Sequence, residues 1–139
     1  MATAMRKRIL VVEDNEDNRR ILLFRLRKLG DFEIVEANDG AAALASVQTH
    51  PPDLIFMDLK MPVMDGWEAT RRIRETEVGR SIPIIALTAQ AMAGDEQKAL
   101  AQGCDDYLAK PIVDPDVLRT KVERFLGSAV PLPPRSDLG

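Results

Sequence analysis

The sequence has little of several things, and each shortage removes a class of protein. It has one cysteine, and a lone Cys104 closes no internal disulfide. It has no long apolar run near its start: "MATAMRKR" leads into four apolar residues, too few for a signal peptide or a membrane span. The cytoplasm is the expected compartment, with no membrane partner. There is no basic excess either, since the formal net charge is -3. A chain of that balance offers no footprint for a phosphate backbone, and direct nucleic-acid binding is not expected. The one histidine, His50, precedes Pro51-Pro52 in a polar connection and reads as solvated. No internal repeat is evident. What is present is an ordinary globular composition, 45% hydrophobic and 29% charged over 139 residues, which is enough for one domain with a core.

Short apolar runs alternate with longer amphipathic ones. Ile9 to Val12, Leu54 to Met57 and Ile82 to Leu87 are continuously apolar, as central strands of a parallel sheet are. Ile34-Val35 and Tyr107 to Ala109 are weaker runs. Between them the spacing predicts helices over Glu16 to Leu29, Gly40 to Thr49, Trp67 to Glu75, Met92 to Gln102 and Pro115 to Leu126. Asp114 and Pro115 suit the cap and first turn of the last helix. The pattern predicts an α/β fold: a doubly wound, five-stranded parallel sheet with five helices on its two faces. It divides the chain into a lead over residues 1–7, a domain over 8–126 and a flexible proline-rich tail over 127–139.

Ligands of doubly wound sheets bind outside the carboxyl ends of the strands. Four predicted strands send polar side chains there: Glu13 and Asp14 after the first, Asp58 after the third, Thr88 after the fourth and Lys110 after the fifth. Three crowded carboxylates repel one another unless a cation joins them. An oxygen-only set without histidine or thiol favours a hard ion, and room for water and a phosphoryl oxygen suits Mg²⁺. Asp58 could then attack phosphorus, with Lys110 neutralising the transferring group and the Thr88 hydroxyl donating to it.

The stretches "ILVVEDNEDNRRIL", "DLIFMDLKMPVMDGWEATRRIR", "PIIALTAQAM" and "GCDDYLAKPI" resemble the receiver domain of two-component response regulators, both stand-alone chemotaxis-type receivers and those of hybrid histidine kinases. The resemblance runs from about Arg8 to Leu126 and implies the flavodoxin-like (β/α)5 receiver fold. It implies that Asp58 is the phosphoacceptor and that Asp14, Asp58 and the Lys60 backbone carbonyl bind Mg²⁺, with Glu13 acting through water. Thr88 and Lys110 then contact the phosphoryl group, Thr88 and Tyr107 form the switch, and Pro111 follows a cis bond. Lys60 and Gln90 flank the path of attacking water and tune dephosphorylation. Glu13 stands where many members have aspartate. The implied activity is a phosphorylation-dependent signalling switch, taking its phosphoryl group from a sensor histidine kinase or a histidine phosphotransfer protein and acting on a downstream protein. It is not an enzyme toward other molecules, although it catalyses its own phosphorylation and dephosphorylation, and a monomer is expected.

Plainer readings compete at each position. Glu13-Asp14 also suits a helix N-terminus, Thr88 a cap, and Lys110-Pro111 an ordinary strand exit. Met61-Pro62 and Asp65-Gly66 read as turn chemistry, with Gly66 available for positive φ. Cys104 reads as packing material, Arg71, Arg72 and Arg74 as the wet face of a helix, and "PLPPR" as part of the tail rather than a polyproline ligand. Among other functions, a receiver fragment of a hybrid kinase stands nearest, although the short lead and the tail favour a free-standing protein. A phosphatase of the haloacid dehalogenase type would need a second aspartate at position 60, which is lysine. Flavin binding would need a hydroxyl- and glycine-rich first loop, and this one reads "EDNED".

Overall fold

A computed structural model describes residues 6–59, 61, 65–88, 95–110 and 114–127. Five strands, β1 (Arg8–Val12), β2 (Glu33–Ala37), β3 (Leu54–Asp58), β4 (Ile84–Thr88) and β5 (Asp106–Ala109), form one sheet in the order β2-β1-β3-β4-β5. All four pairings are parallel, with Val12 opposite both Ala37 and Met57, Asp58 opposite Leu87, and Thr88 opposite Ala109. The three continuously apolar runs thus occupy the three inner positions. The two weaker runs are the edges, where partial exposure relaxes the demand for apolarity.

The helices are α1 (Glu16–Leu29), α2 (Gly40–Thr49), α3 (Gly66–Glu75), α4 (Asp95–Ala101) and α5 (Pro115–Leu126). Alternation along each strand sends side chains to opposite faces and divides the core in two. Ile9, Val11, Phe56, Ile85 and Leu87 meet Leu22, Leu26 and Leu29 of α1 and Leu118 and Val122 of α5. Leu10, Val12, Ile55, Met57 and Ala86 meet Ala43 and Val47 of α2 and Ala69 and Ile73 of α3. Truncating a fully buried leucine such as Leu26 would cost about 2–5 kcal/mol, through lost transfer energy and the cavity left behind.

Local chemistry starts the helices where the strands end. Asn15, Asp39, Asp65 and Asp114 each accept a backbone N–H from the first turn of α1, α2, α3 and α5, at 2.9, 2.7, 2.9 and 2.9 Å. Each cap satisfies a donor that the helix leaves orphaned, and Pro115 takes the first turn of α5 as expected. Asp65 is therefore a helix cap and not merely a turn residue.

Three further details differ from the sequence reading. Asp58 and Thr88 are the last residues of their strands rather than the first beyond them. A 3-10 turn at Val78–Ser81 precedes β4, too short for periodicity to reveal. Gly66 opens α3, and the positive-φ glycines among the described residues are Gly103 and Gly127. Gly66 is needed for close approach instead: an added Cβ would lie 2.1 Å from the Asp58 carbonyl oxygen. Expectations placed on Lys60, Gln90, Met92, Pro111 and the tail beyond Gly127 lie outside the described residues.

Candidate functional site

The carboxyl edge of the sheet brings together side chains far apart in sequence. Glu13 and Asp58 are both 1% exposed, while Asp14 faces solvent. Their carboxylate oxygens lie within 4.8 Å of one another. Lys110 reaches in from the end of β5 and donates to Glu13 Oε1 and Oε2 at 3.1 and 3.3 Å. Its Nζ is also 3.1 Å from Asp58 Oδ1. Thr88, buried, ends β4 beside β3, and its carbonyl accepts the Lys110 N–H at 2.7 Å. The β4–β5 ladder therefore extends through the residue that bears the ammonium group.

Burial of Lys110 works against its charge, but the neighbouring Asp58 and then Glu13 carboxylates more than offset this and raise its pKa above 10.5. At neutral pH the ammonium is held charged between two buried acids. Breaking such a cluster by removing one member is costly, since a buried charge is left uncompensated.

The three carboxylates form a hard, oxygen-only donor set of the kind Mg²⁺ takes. Glu13 is already engaged: besides Lys110, its Oε2 accepts the Asn15 N–H at 3.1 Å. That occupation suits a ligand acting through water. Asp14, the exposed member, is better disposed to direct contact. The residues present therefore fit the ion.

The structure gathers Glu13, Asp14, Asp58, Thr88 and Lys110 on one edge, as the sequence predicts. Tyr107 lies on β5 opposite Ala86, half-buried against the core face that carries α2 and α3. Lys121 sits 6.0 Å from the centre of its ring and donates to Asp106 at 2.8 Å. Asp106, buried in the edge strand, also takes Arg124 at 3.1 Å, so α5 is tied to β5 at the residue before the tyrosine.

Two arginines escaped the sequence reading. Arg19 Nη1 donates to the Glu13 carbonyl at 2.7 Å and its Nε to Glu36 of β2 at 2.9 Å. The motif "EDNRR" displays this arginine, but nothing in it names a partner. Arg74 is not on a wet face: it donates to the Gly103, Gly79 and Ile82 carbonyls at 2.9, 2.8 and 2.6 Å and pairs with Asp105 at 2.7 Å. It ties the end of α3 to both the entry of β4 and the loop before β5.

These features define a class of protein: a doubly wound α/β domain that gathers an acidic pair, a strand-end aspartate and a lysine at the carboxyl edge of its sheet. The chain belongs to the response regulator receiver domain family, whose pattern matches residues 9–123. It is 40% identical over 126 residues to the polar-differentiation response regulator DivK of Brucella ovis, covering 90% of this chain and all of that one. It is 43% identical to the receiver domain of the sensor histidine kinase PA1611 of Pseudomonas aeruginosa, which was crystallised with magnesium coordinated in its active-site cleft. That structure superposes with a TM-score of 0.81 over 89% of this chain and 100% of the other. The receiver domain of Saccharomyces cerevisiae Ssk1, solved with the histidine phosphotransfer protein Ypd1, is 36% identical with a TM-score of 0.77, over 86% and 88% of the two chains. The protein is thus a receiver domain of two-component signalling. Among the described residues no helix is long and apolar enough to cross a membrane.

Proposed function

We propose that this receiver is a phosphorylation-dependent switch whose phosphoacceptor is Asp58, and that it takes its phosphoryl group from a partner phosphohistidine. The observation that carries the proposal is the buried Asp58 carboxylate held 3.1 Å from the Lys110 ammonium beside Glu13 and Asp14. A carboxylate so placed is restrained from rotating away and is poised for in-line attack. An Asp58 oxygen bonds to phosphorus as the phosphorus–nitrogen bond breaks, and the electron pair leaves with the imidazole. The product is an acylphosphate. Asp14 and Asp58, with Glu13 beside them, would hold Mg²⁺, which would supply positive charge to the phosphoryl oxygens.

Lys110 then exchanges part of its contact with Asp58 for a phosphoryl oxygen, and the Thr88 hydroxyl donates to another. A hydrogen bond to a charged oxygen is worth about 1.5–3 kcal/mol, enough to move a two-state equilibrium roughly ten- to a hundredfold. Movement of Thr88 toward the phosphoryl group and of the Tyr107 ring into the vacated space would carry the signal to the face formed by α4, β5 and α5. Self-phosphorylation and self-dephosphorylation are the chemistry proposed, with no other substrate, in the cytoplasm. The kinship with a kinase receiver favours one second reading, in which the phosphoryl group passes onward from Asp58 to another histidine.

The deciding experiment is intact-mass spectrometry after incubation with Mg²⁺ and acetyl phosphate. Wild type should gain one acid-labile phosphoryl group, and Asp58→Ala or wild type in EDTA should gain none. Equal labelling of Asp58→Ala would remove the assignment. Transfer to a phosphotransfer protein from the labelled chain would support the second reading.

A further inference from the structure

Asp14 is the one exposed carboxylate of the cluster, yet its aim has to be right for it to reach an ion shared with buried Asp58. A short aspartate side chain points where its backbone directs it. The backbone of Glu13, whose carbonyl begins the peptide to Asp14, therefore decides the matter, and it is held on both flanks. The Glu13 N–H donates to the Ala37 carbonyl at 3.1 Å, and the Glu13 carbonyl accepts from Arg19 Nη1 at 2.7 Å. The same guanidinium donates through Nε to Glu36 Oε1 at 2.9 Å. Arg19 is held in turn by the first turn of α1, where its N–H meets the Asn15 carbonyl at 2.9 Å. Its side chain is 19% exposed. One planar fork thus joins β2, α1 and the loop that bears the acidic pair.

A fixed cation beside a cation site is electrostatically unfavourable, even with Glu36 to offset its charge. Its geometry is what recommends it, because a guanidinium holds two acceptors in fixed directions and an ammonium does not. We infer that Arg19 is a positioning residue for the metal site: by holding the Glu13 carbonyl it aims Asp14 and sets divalent-ion affinity. This rests on the reading of Glu13, Asp14 and Asp58 as the Mg²⁺ site.

Charge and position predict opposite signs, which makes the inference testable. If Arg19 acts by charge alone, its removal tightens the binding of a cation. If it positions Asp14, its removal weakens binding, by about tenfold on the scale of lost outer partners of metal ligands. The experiment is calorimetric titration of MgCl2 alone, at fixed ionic strength, into full-length wild type, Arg19→Gln and Arg19→Lys. The expected order of Kd is wild type lowest, Arg19→Lys higher and Arg19→Gln highest by about tenfold. Arg19→Lys separates the two readings again, since it keeps the charge and loses the fork. Urea unfolding of each apo variant establishes that it is folded under the titration conditions. A lowered midpoint with unchanged Kd means that the arginine only braces the fold, and overturns the inference. So does tighter binding by Arg19→Gln. Absence of Mg²⁺ binding by wild type removes the metal reading itself, and the inference with it.

Discussion

The two ends of the sheet use the same kinds of residue in opposite ways. At the amino end, arginines meet carboxylates and backbone together. Arg8 pairs with Glu33 at 3.3 Å while its N–H donates to Asp53 at 2.7 Å, and Arg74 pairs with Asp105 while Asp105 also accepts the Ile84 N–H at 2.9 Å. Each of these two pairs also fixes a stretch of chain. At the carboxyl end, Glu13 and Asp58 share Lys110, with the exposed Asp14 carboxylate beside them. An end whose charges are matched contributes to stability, and an end where, among the described residues, three acids gather around one lysine suits a cation. The difference lies in how the charges are arranged, and neither composition nor net charge reports it.

Removing the shared base should have the largest effect on stability. Lys110→Met leaves Glu13 and Asp58 buried without their ammonium, and urea unfolding without divalent ions should show a loss of about 3 kcal/mol. Added Mg²⁺ should recover more stability in this variant than in wild type, because the ion takes over the neutralising role. An equal response in the two chains would break the contrast between the ends.

Gly66→Ala tests how tightly the carboxyl end is built. The new methyl group would meet Asp58 and Leu59 backbone atoms at 2.1 to 2.8 Å, so the chain around Asp58 has to shift. A cost of about 2–3 kcal/mol is expected from overpacking, with slower labelling by acetyl phosphate. Loss of stability with labelling untouched would show that the shift spares the carboxylate.

Arg74→Met tests the amino end. It strips charged donors from four carbonyls and leaves Asp105 without its cation, and about 2 kcal/mol should be lost, with phosphorylation of Asp58 retained. Cys104 provides a second readout, since burial pushes its thiol up to about 11 and makes it a poor nucleophile at pH 8. Alkylation of native Cys104 should be slow in wild type and faster in Arg74→Met. The sign of the pH effect follows: an unfolded thiol ionises from about pH 9 and the folded one near 11, so this group lowers stability as pH rises between them.

The smallest effect belongs to an exposed helix surface. Arg20 and Glu16 pair at 2.8 Å one helical turn apart, but their side chains are 72% and 63% exposed. Arg20→Ala should change the unfolding free energy by no more than about 0.5 kcal/mol.

These contrasts also explain what the sequence disclosed. Periodicity placed α1, α2 and α5 at their observed ends, since each has an apolar stripe and a chemically distinct start. The inner strands showed themselves by unbroken apolarity. Glu13, Asp14, Asp58, Thr88 and Lys110 were legible because each stands directly after or at the end of such a run. Arg74 was not, because its acceptors are backbone carbonyls, and every residue has one. Arg19 was hidden for the same reason. Gly66 was read as a turn residue because sequence gives its conformational freedom but not the Asp58 carbonyl packed against it.

The hydrogen bond from Lys110 to Glu13 spans 97 residues of sequence, and Asp58 lies between them. No contiguous fragment that stops before β5 contains the complete cluster. Bringing such distant segments together carries a loop-closure cost that only the assembled sheet repays. A chain synthesised only as far as β4 therefore keeps its aspartates but lacks the lysine among them, and under the proposed chemistry full competence to receive a phosphoryl group would require the completed fold.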